Sequence, residues 1–266
     1  MPEPPAPPFL SVVIPAYNEA SRLPATFDAL EGYFGARSFA AEVIVVNDGS
    51  EDATGEVIRA RAATWPMLVA LSIAHGGKGR AVKEGMLAAR GRYVFLCDAD
   101  LSMPIADLEQ FLPGAREDAY DIAIASREAP GARRYGEPLY RHLMGRVFNT
   151  LVRRLVLPGI QDSQCGFKCL RGELARDFAA AQTIDGWGFD VELLYMARAR
   201  GLRIVEIPVA WYYAPNSRIH PVRDAWHMTR DVLAVRANAR RGRYAKAPSA
   251  TFATAAAAPG TMSPGH

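Results

Sequence analysis

The chain reads as an α/β protein: a mostly parallel central sheet flanked by helices, closed by C-terminal amphipathic helices. Three observations predict this. Short runs rich in β-branched residues alternate with stretches of helical periodicity along the sequence. The β runs are continuously apolar, as strands covered on both faces must be. Each then breaks into a polar or glycine-rich loop, and an open α/β sheet collects its ligand site from such loops at one carboxyl edge.

Phe9 to Ile14 forms the first strand, ended by Pro15. Ala16-Tyr17-Asn18-Glu19 is its loop, and Ser21 is placed to cap a helix through Phe34 whose inner face is Leu23, Phe27 and Leu30. Glu42 to Val46 is the second strand, too β-branched for a helix, and it ends in Asn47-Asp48-Gly49-Ser50 before a helix from Asp52 to Thr64. Met67 to Ile73 is the third, ending at His75-Gly76-Gly77-Lys78-Gly79 with a helix from Arg80 to Arg90. The fourth begins at Tyr93 and runs through Phe95 and Leu96 into Cys97-Asp98-Ala99-Asp100.

Beyond Pro104 the pattern predicts a helix near Ile105 to Leu112, a strand from Asp121 to Ser126 ending at Arg127, and a Gly/Pro/Arg-rich loop over 128–139. Tyr140 to Leu157 is an amphipathic helix with Leu143, Met144, Val147, Phe148, Leu151 and Leu155 at i, i+3, i+4 spacing. Gln161 to Leu170 contains a short strand, Gly186 to Gly201 is a helix, and Arg203 to Ile207 is the last strand. Pro221 to Ala239 is a second amphipathic helix, with Val222, Trp226, Thr229 and Leu233 on its apolar side. One domain thus spans 9–244, between a proline-rich flexible tail at 1–8 and a disordered tail at 245–266.

At 266 residues, with half of them hydrophobic and 22% charged, the composition is that of a globular protein. No run approaches the ~18 apolar residues of a membrane span, and residues 1–8 lack the basic and apolar regions of a signal peptide. The cysteines (97, 165 and 169) are odd in number, and Cys97 falls within a buried strand. That is the usage of a reducing, cytoplasmic compartment. The net charge of +3 is uneven: residues 216–246 hold eight arginines and lysines against two aspartates. An anionic partner is expected there, a membrane surface or a phosphate. Nucleic acid is not, because the aromatic–basic interleaving of single-strand platforms is missing.

The chemistry sits in the loops. Asp98 and Asp100 emerge from a buried strand with one small residue between them, and such carboxylates repel unless something positive lies close. A divalent cation with oxygen ligands, itself holding phosphates, meets that need. Gly76 to Arg80 is not a P-loop, yet its glycines open a helix whose N-terminus favours anions, and Lys78 and Arg80 add charge. A diphosphate is the expected occupant. Asp48 and Glu19 are placed to accept hydrogen bonds from a base or ribose, though Asp48-Gly-Ser also suits a turn and helix cap.

Four of these motifs together resemble glycosyltransferase family 2, with its Rossmann-like GT-A fold: Ser11 to Glu19, Val45 to Ser50, Gly77-Lys78-Gly79 and Cys97-Asp98-Ala99-Asp100. Asp162-Ser-Gln-Cys-Gly-Phe-Lys168 and Gly186 to Leu194 resemble its dolichyl-phosphate β-glucosyltransferase branch, near the dolichyl-phosphate mannose synthases. The resemblance covers residues 9 to 244. It implies an inverting transfer of glucose from UDP-glucose to a polyprenyl phosphate. Pro15, Ala16, Tyr17, Glu19 and Asp48 would hold the nucleoside, and Lys78 the diphosphate. Asp98, Ala99 and Asp100 would meet the nucleotide-sugar, the two aspartates binding Mg²⁺ or Mn²⁺. Arg127, Arg133, Arg134 and Arg218 would face the acceptor phosphate, with Asp190 as base or sugar-positioning group. Ser102 stands where mannose synthases often carry a glutamine, which leaves the third metal ligand open and leans away from GDP-mannose.

A phosphate acceptor is already an anion and needs cations more than a general base. The alternatives kept open are a mannosyl or other nucleotide-sugar transferase and a non-catalytic nucleotide-sugar-binding module. The expected location is peripheral, on the anionic inner face of the cell membrane. The oligomeric state is left undetermined.

Overall fold

The computed structural model describes residues 6–114, 120–213 and 221–244. Seven strands form one sheet in the order β3-β2-β1-β4-β7-β5-β8. They are β1 (Leu10–Ala16), β2 (Ala41–Asp48), β3 (Leu68–Ile73), β4 (Tyr93–Leu96), β5 (Ile122–Ser126), β7 (Lys168–Arg171) and β8 (Ile204–Pro208). The first four pair in parallel, with Val12 beside Val43 on one flank and Phe95 on the other. β7 runs antiparallel between β4 and β5, and β8 is again parallel to β5.

The apolar runs of β1, β2, β4 and β5 are buried on both faces, as anticipated, whereas β3, at the edge of the sheet, buries only Leu68 fully and exposes Ala70 and Ser72. Val12 and Ile14 of β1 pack with Phe27 and Leu30 of α1 (Leu23–Gly35) and Ile58 of α2 (Thr54–Thr64). Val13 points the other way, among Val82 and Met86 of α3 (Lys78–Ala88). That second face also carries α4 (Leu139–Leu155), α5 (Gly172–Ala181), α6 (Phe189–Ala199) and α7 (Pro221–Arg240). Burial at roughly 25 cal/mol per Å² of apolar surface is what drives both layers onto the sheet.

Some local expectations differ. Ser21 does not cap α1: Arg22 occupies the N-cap with no side-chain bond, and a proline opens the first turn. Ile105–Phe111 winds as a 3-10 helix. α5 lies in a stretch that had no predicted element. α6 begins only at Phe189, so Gly186 to Gly188 remain a loop. Inside the supposed 128–139 loop lies β6 (Arg133–Tyr135), paired in parallel with β9 (Ala210–Tyr212) as a separate two-stranded sheet. Three-residue strands are too short to show a period of two. No helix among the described residues is long and apolar enough to cross a membrane. All three cysteines are buried and unpaired.

Candidate active site

The loops at the carboxyl ends of β1, β2, β3, β4 and β5 meet at one cleft of about 590 Å³, a size that suits a small-molecule ligand. At one end are Pro15, Ala16, Tyr17 and Glu19 from the β1 loop. The Tyr17 ring stacks on His75, centroids 4.3 Å apart. Glu19 pairs with Arg22 at 3.0 Å. Asp48 lines the cleft but is 2% exposed. Its carboxylate accepts the Gly76 and Gly77 N–H groups at 2.8 and 2.9 Å, and His75 Nδ1 lies 3.0 Å away. Asp48 therefore fixes the glycine loop as well as facing the cleft.

That loop is built differently from an anion cradle. Two of its N–H groups are spent on Asp48, and the Arg80 N–H donates to the Asp185 carbonyl at 3.1 Å. A Cβ on Gly77 would lie 2.6 Å from the Asp185 oxygen, and one on Gly79 2.6 Å from that of Ile184. The glycines are there so that the 184–186 backbone can close over the start of α3. Arg80 is exposed and outside the lining. What the loop contributes to the cleft is His75, the Gly77 backbone and the Lys78 side chain.

Lys78 Nζ sits 2.6 Å from Asp98 Oδ1. Burial pushes the Asp98 carboxyl up, but the ammonium outweighs it and holds Asp98 below the usual carboxylate range. Burial likewise opposes the charge on Lys78, yet Asp98 first, then Asp190, keeps its pKa raised. The chain thus eases part of the carboxylate crowding itself. Asp100 is exposed, its Oδ1 accepting the Ser102 N–H at 3.0 Å. Thr26 Oγ1 donates to the Ala99 carbonyl at 2.6 Å, tying the loop to α1. Gly166 makes room for Asp98: a Cβ there would lie 2.2 Å from Asp98 Oδ2.

Deeper in the cleft, Asp190 pairs with Lys168 at 2.7 Å. Lys168 is 1% exposed, and its ammonium also donates to the Cys165 carbonyl at 2.6 Å. Burial raises the Asp190 pKa in spite of Lys168 and Lys78. Arg127 comes from the end of β5. Its Nε and Nη2 reach Asp162 at 2.7 and 2.9 Å, and its backbone N–H reaches the same carboxylate at 3.0 Å. Asp162 is fully buried; burial raises its pKa, but Arg127 overrides that and brings it down to about 2. Arg134 lines the cleft between Glu128 and Glu137, each at 2.6 Å. Arg133, its neighbour on β6, is exposed and outside the lining, since adjacent strand residues face opposite ways. Arg218 lies outside the described residues. Met144 and Phe148 of α4, Met228 of α7 and Trp211 make this end of the cleft apolar.

Most of the candidate residues therefore converge: Pro15, Ala16, Tyr17, Glu19, Asp48, Lys78, Asp98, Ala99, Asp100, Arg127, Arg134 and Asp190 all line one cleft. Sequence pattern alone assigns no role to His75, Asp162, Gly166 or Lys168. Asp162, Gly166 and Lys168 belong to the Asp162-Ser-Gln-Cys-Gly-Phe-Lys168 motif, which is the signal that points to them. Among the described residues no group of three or more His, Cys, Asp or Glu is arranged to hold a metal. Asp98 and Asp100 offer two carboxylates on a cleft edge. Such hard oxygen donors fit a divalent cation whose other ligands come from phosphates.

A mostly parallel Rossmann-like sheet, with an Asp-x-Asp loop and a basic side chain at its carboxyl edge, defines a GT-A glycosyltransferase. The chain belongs to glycosyltransferase family 2, whose profile matches residues 11–178. It is 35% identical over 245 residues to dolichyl-phosphate beta-glucosyltransferase of Mus musculus, covering 85% of this chain and 74% of that one. The enzyme of the same name from Dictyostelium discoideum is 31% identical over 242 residues, covering 86% and 74%. Among solved structures, mannosyl-3-phosphoglycerate synthase from Rubrobacter xylanophilus superposes with a TM-score of 0.66 at 19% identity, over 92% of this chain and 78% of that one. Glucosyl-3-phosphoglycerate synthase from Mycobacterium tuberculosis, in complex with Mn²⁺, UDP-glucose and phosphoglyceric acid, gives 0.61 at 20% identity, over 91% and 81%. At such identities these structures support the fold alone.

Proposed function

We propose that this glycosyltransferase moves glucose from UDP-glucose to a polyprenyl phosphate, with inversion and with Mg²⁺ or Mn²⁺. The observation that carries the reading is the cleft's division. The loops after β1, β3 and β4 bring the Tyr17–His75 stack and the Asp-x-Asp pair, and the loop after β5, two strands further along the sheet, brings Arg127, with Arg134 and apolar side chains in the same lining. The names of the relatives supply the sugar and the lipid.

The residues take the following parts. Tyr17 and His75 hold the base, Glu19 and Asp48 the nucleoside, and Lys78 the diphosphate. Asp98 and Asp100 would hold the cation, which supplies Lewis-acid stabilisation of the leaving diphosphate. Arg127 and Arg134 face the acceptor phosphate, and Asp190 positions the sugar. A phosphate oxygen attacks the anomeric carbon as the bond to the diphosphate breaks. The electron pair leaves with UDP, and an α-linked donor becomes a β-linked product. No proton has to be removed, which fits an Asp190 already bound to Lys168.

The lipid end reaches a surface. α4 lends Met144 and Phe148 to the cleft and exposes Leu139, Leu143 and Val147 at 86%, 64% and 64%. Arg146, Arg153 and Arg154 of the same helix are exposed as well. That combination suits peripheral attachment to an anionic membrane, here assigned to its cytoplasmic face. The test is thermal stabilisation by UDP- and GDP-sugars with and without Mn²⁺, followed by transfer to a polyprenyl phosphate. Lipid-linked glucose from UDP-glucose is expected. Stabilisation by GDP-mannose in place of UDP-glucose, or no transfer to any polyprenyl phosphate, would overturn the assignment.

A further inference from the structure

The loop joining α5 to α6 forms a wall of the cleft, yet much of what holds it lies outside the cleft. On the inner side Trp187 and Asp190 line the cleft, and Lys78 Nζ lies 5.1 Å from the Trp187 ring centroid. The loop also rests on the start of α3, through Arg80 N–H to Asp185 and through Gln182 Nε2, which donates to the Gly79 and Ile184 carbonyls at 2.8 and 2.9 Å. On the outer side the C-terminal segment grips the loop at two places and the first turn of α6 at a third. Asp231 of α7 accepts the Gly188 N–H at 3.1 Å, packed so closely that a Cβ on Gly188 would lie 2.3 Å from Asp231 Cβ. Asn238 Nδ2 donates to Thr183 Oγ1 at 3.0 Å. The Tyr244 hydroxyl, in a side chain 2% exposed, donates to Glu192 at 2.7 Å.

Glu192 is fully buried and gathers the rest. Its carboxylate accepts the Thr183 N–H, the Thr183 hydroxyl at 2.6 Å and the Ile184 N–H at 2.9 Å. A buried carboxylate so surrounded is stable only while its donors stay in place. Asp231, Asn238 and Tyr244 do not line the cleft themselves. They also lie beyond residue 178, where the family profile ends.

We infer that Asp231 and Tyr244 are positioning residues. The segment from α7 to Tyr244 clamps the 182–189 loop from behind and so sets Trp187 and Asp190 against Lys78 at the diphosphate end of the cleft. The kinetic part of this inference rests on the transferase reading; the structural part does not.

The experiment uses the full chain and three variants. Asp231→Ala removes the acceptor for Gly188, Asp231→Asn keeps an oxygen there, and Tyr244→Phe removes one donor to Glu192. Hydrogen exchange read by mass spectrometry, without ligand, should speed up about two- to tenfold over 76–81 and 182–189 in Asp231→Ala and Tyr244→Phe, the range that one net hydrogen bond commands. Peptides over 41–48 should not change, and Asp231→Asn should behave as wild type. With UDP-glucose as donor, KM should rise over the same range in Asp231→Ala, kcat should move less, and Asp231→Asn should restore both. Unchanged exchange over the two loops, equal acceleration throughout the chain, or an Asn variant no better than Ala would each overturn the clamp. A wild type that transfers no glucose would refute the proposed function instead, and the exchange comparison would still decide this one.

Discussion

Replacing Asp162 by Asn isolates the ion pair that anchors the cleft residue Arg127. The side chain keeps its shape but loses its charge opposite Arg127, whose Nε and Nη2 lie 2.7 and 2.9 Å from the carboxylate. The fall of its pKa from 3.8 to about 2 corresponds to about 2 kcal/mol in favour of the folded, charged state. Losing one partner of a buried pair strands the other, at about 3–5 kcal/mol. A loss near 3 kcal/mol at pH 7 is therefore expected in urea unfolding. The sign in acid follows from the depressed folded value. The pair's contribution is present above the unfolded pKa near 4 and is lost as pH falls toward 2, with about half gone at pH 3. The gap between wild type and Asp162→Asn should accordingly narrow from pH 7 to pH 3. A gap below about 1 kcal/mol at pH 7, or one that does not shrink in acid, would refute the view that Asp162 holds Arg127 by charge.

Other outcomes follow from the same geometry. Gly166→Ala places a Cβ 2.2 Å from Asp98 Oδ2, which must then move, and kcat for glucose transfer should fall about 100-fold, as misplaced catalytic groups typically cost. Lys168→Met leaves Asp190 buried without its partner, and urea unfolding should show a loss of about 3–5 kcal/mol. Leu143→Glu, at a site 64% exposed, should leave the Tm alone. It should weaken co-sedimentation with anionic vesicles about tenfold, the value of one buried leucine. Gly32→Ala, in α1 with open space around it, should add about 0.5–1 kcal/mol to stability.

The first four strands were legible because each is a continuous apolar run ended by a loop, a pattern that local sequence carries in full. The strand direction of β7 was not, because antiparallel insertion depends on which edges are free and not on the residues of Lys168–Arg171. β6 and β9 escaped because three residues make no pattern until a partner strand pairs with them. In the site, Tyr17, Asp48, Lys78, Asp98 and Asp100 could be grouped in advance because parallel strands place their carboxyl-end loops on one edge. The role of the glycines at 77 and 79 could not, since the backbone pressing on them comes from residues 184–186.

By itself, the sequence determined the class of fold, the edge where the site forms and most of the side chains that line it. All of these follow from local periodicity and from loops adjoining their own strands. The tertiary structure alone decided which charges neutralise one another. Lys78 is matched to Asp98, Arg127 to Asp162 and Lys168 to Asp190. Such pairings join distant stretches of chain, and only the packing of helices onto both faces of the sheet brings them within hydrogen-bonding distance.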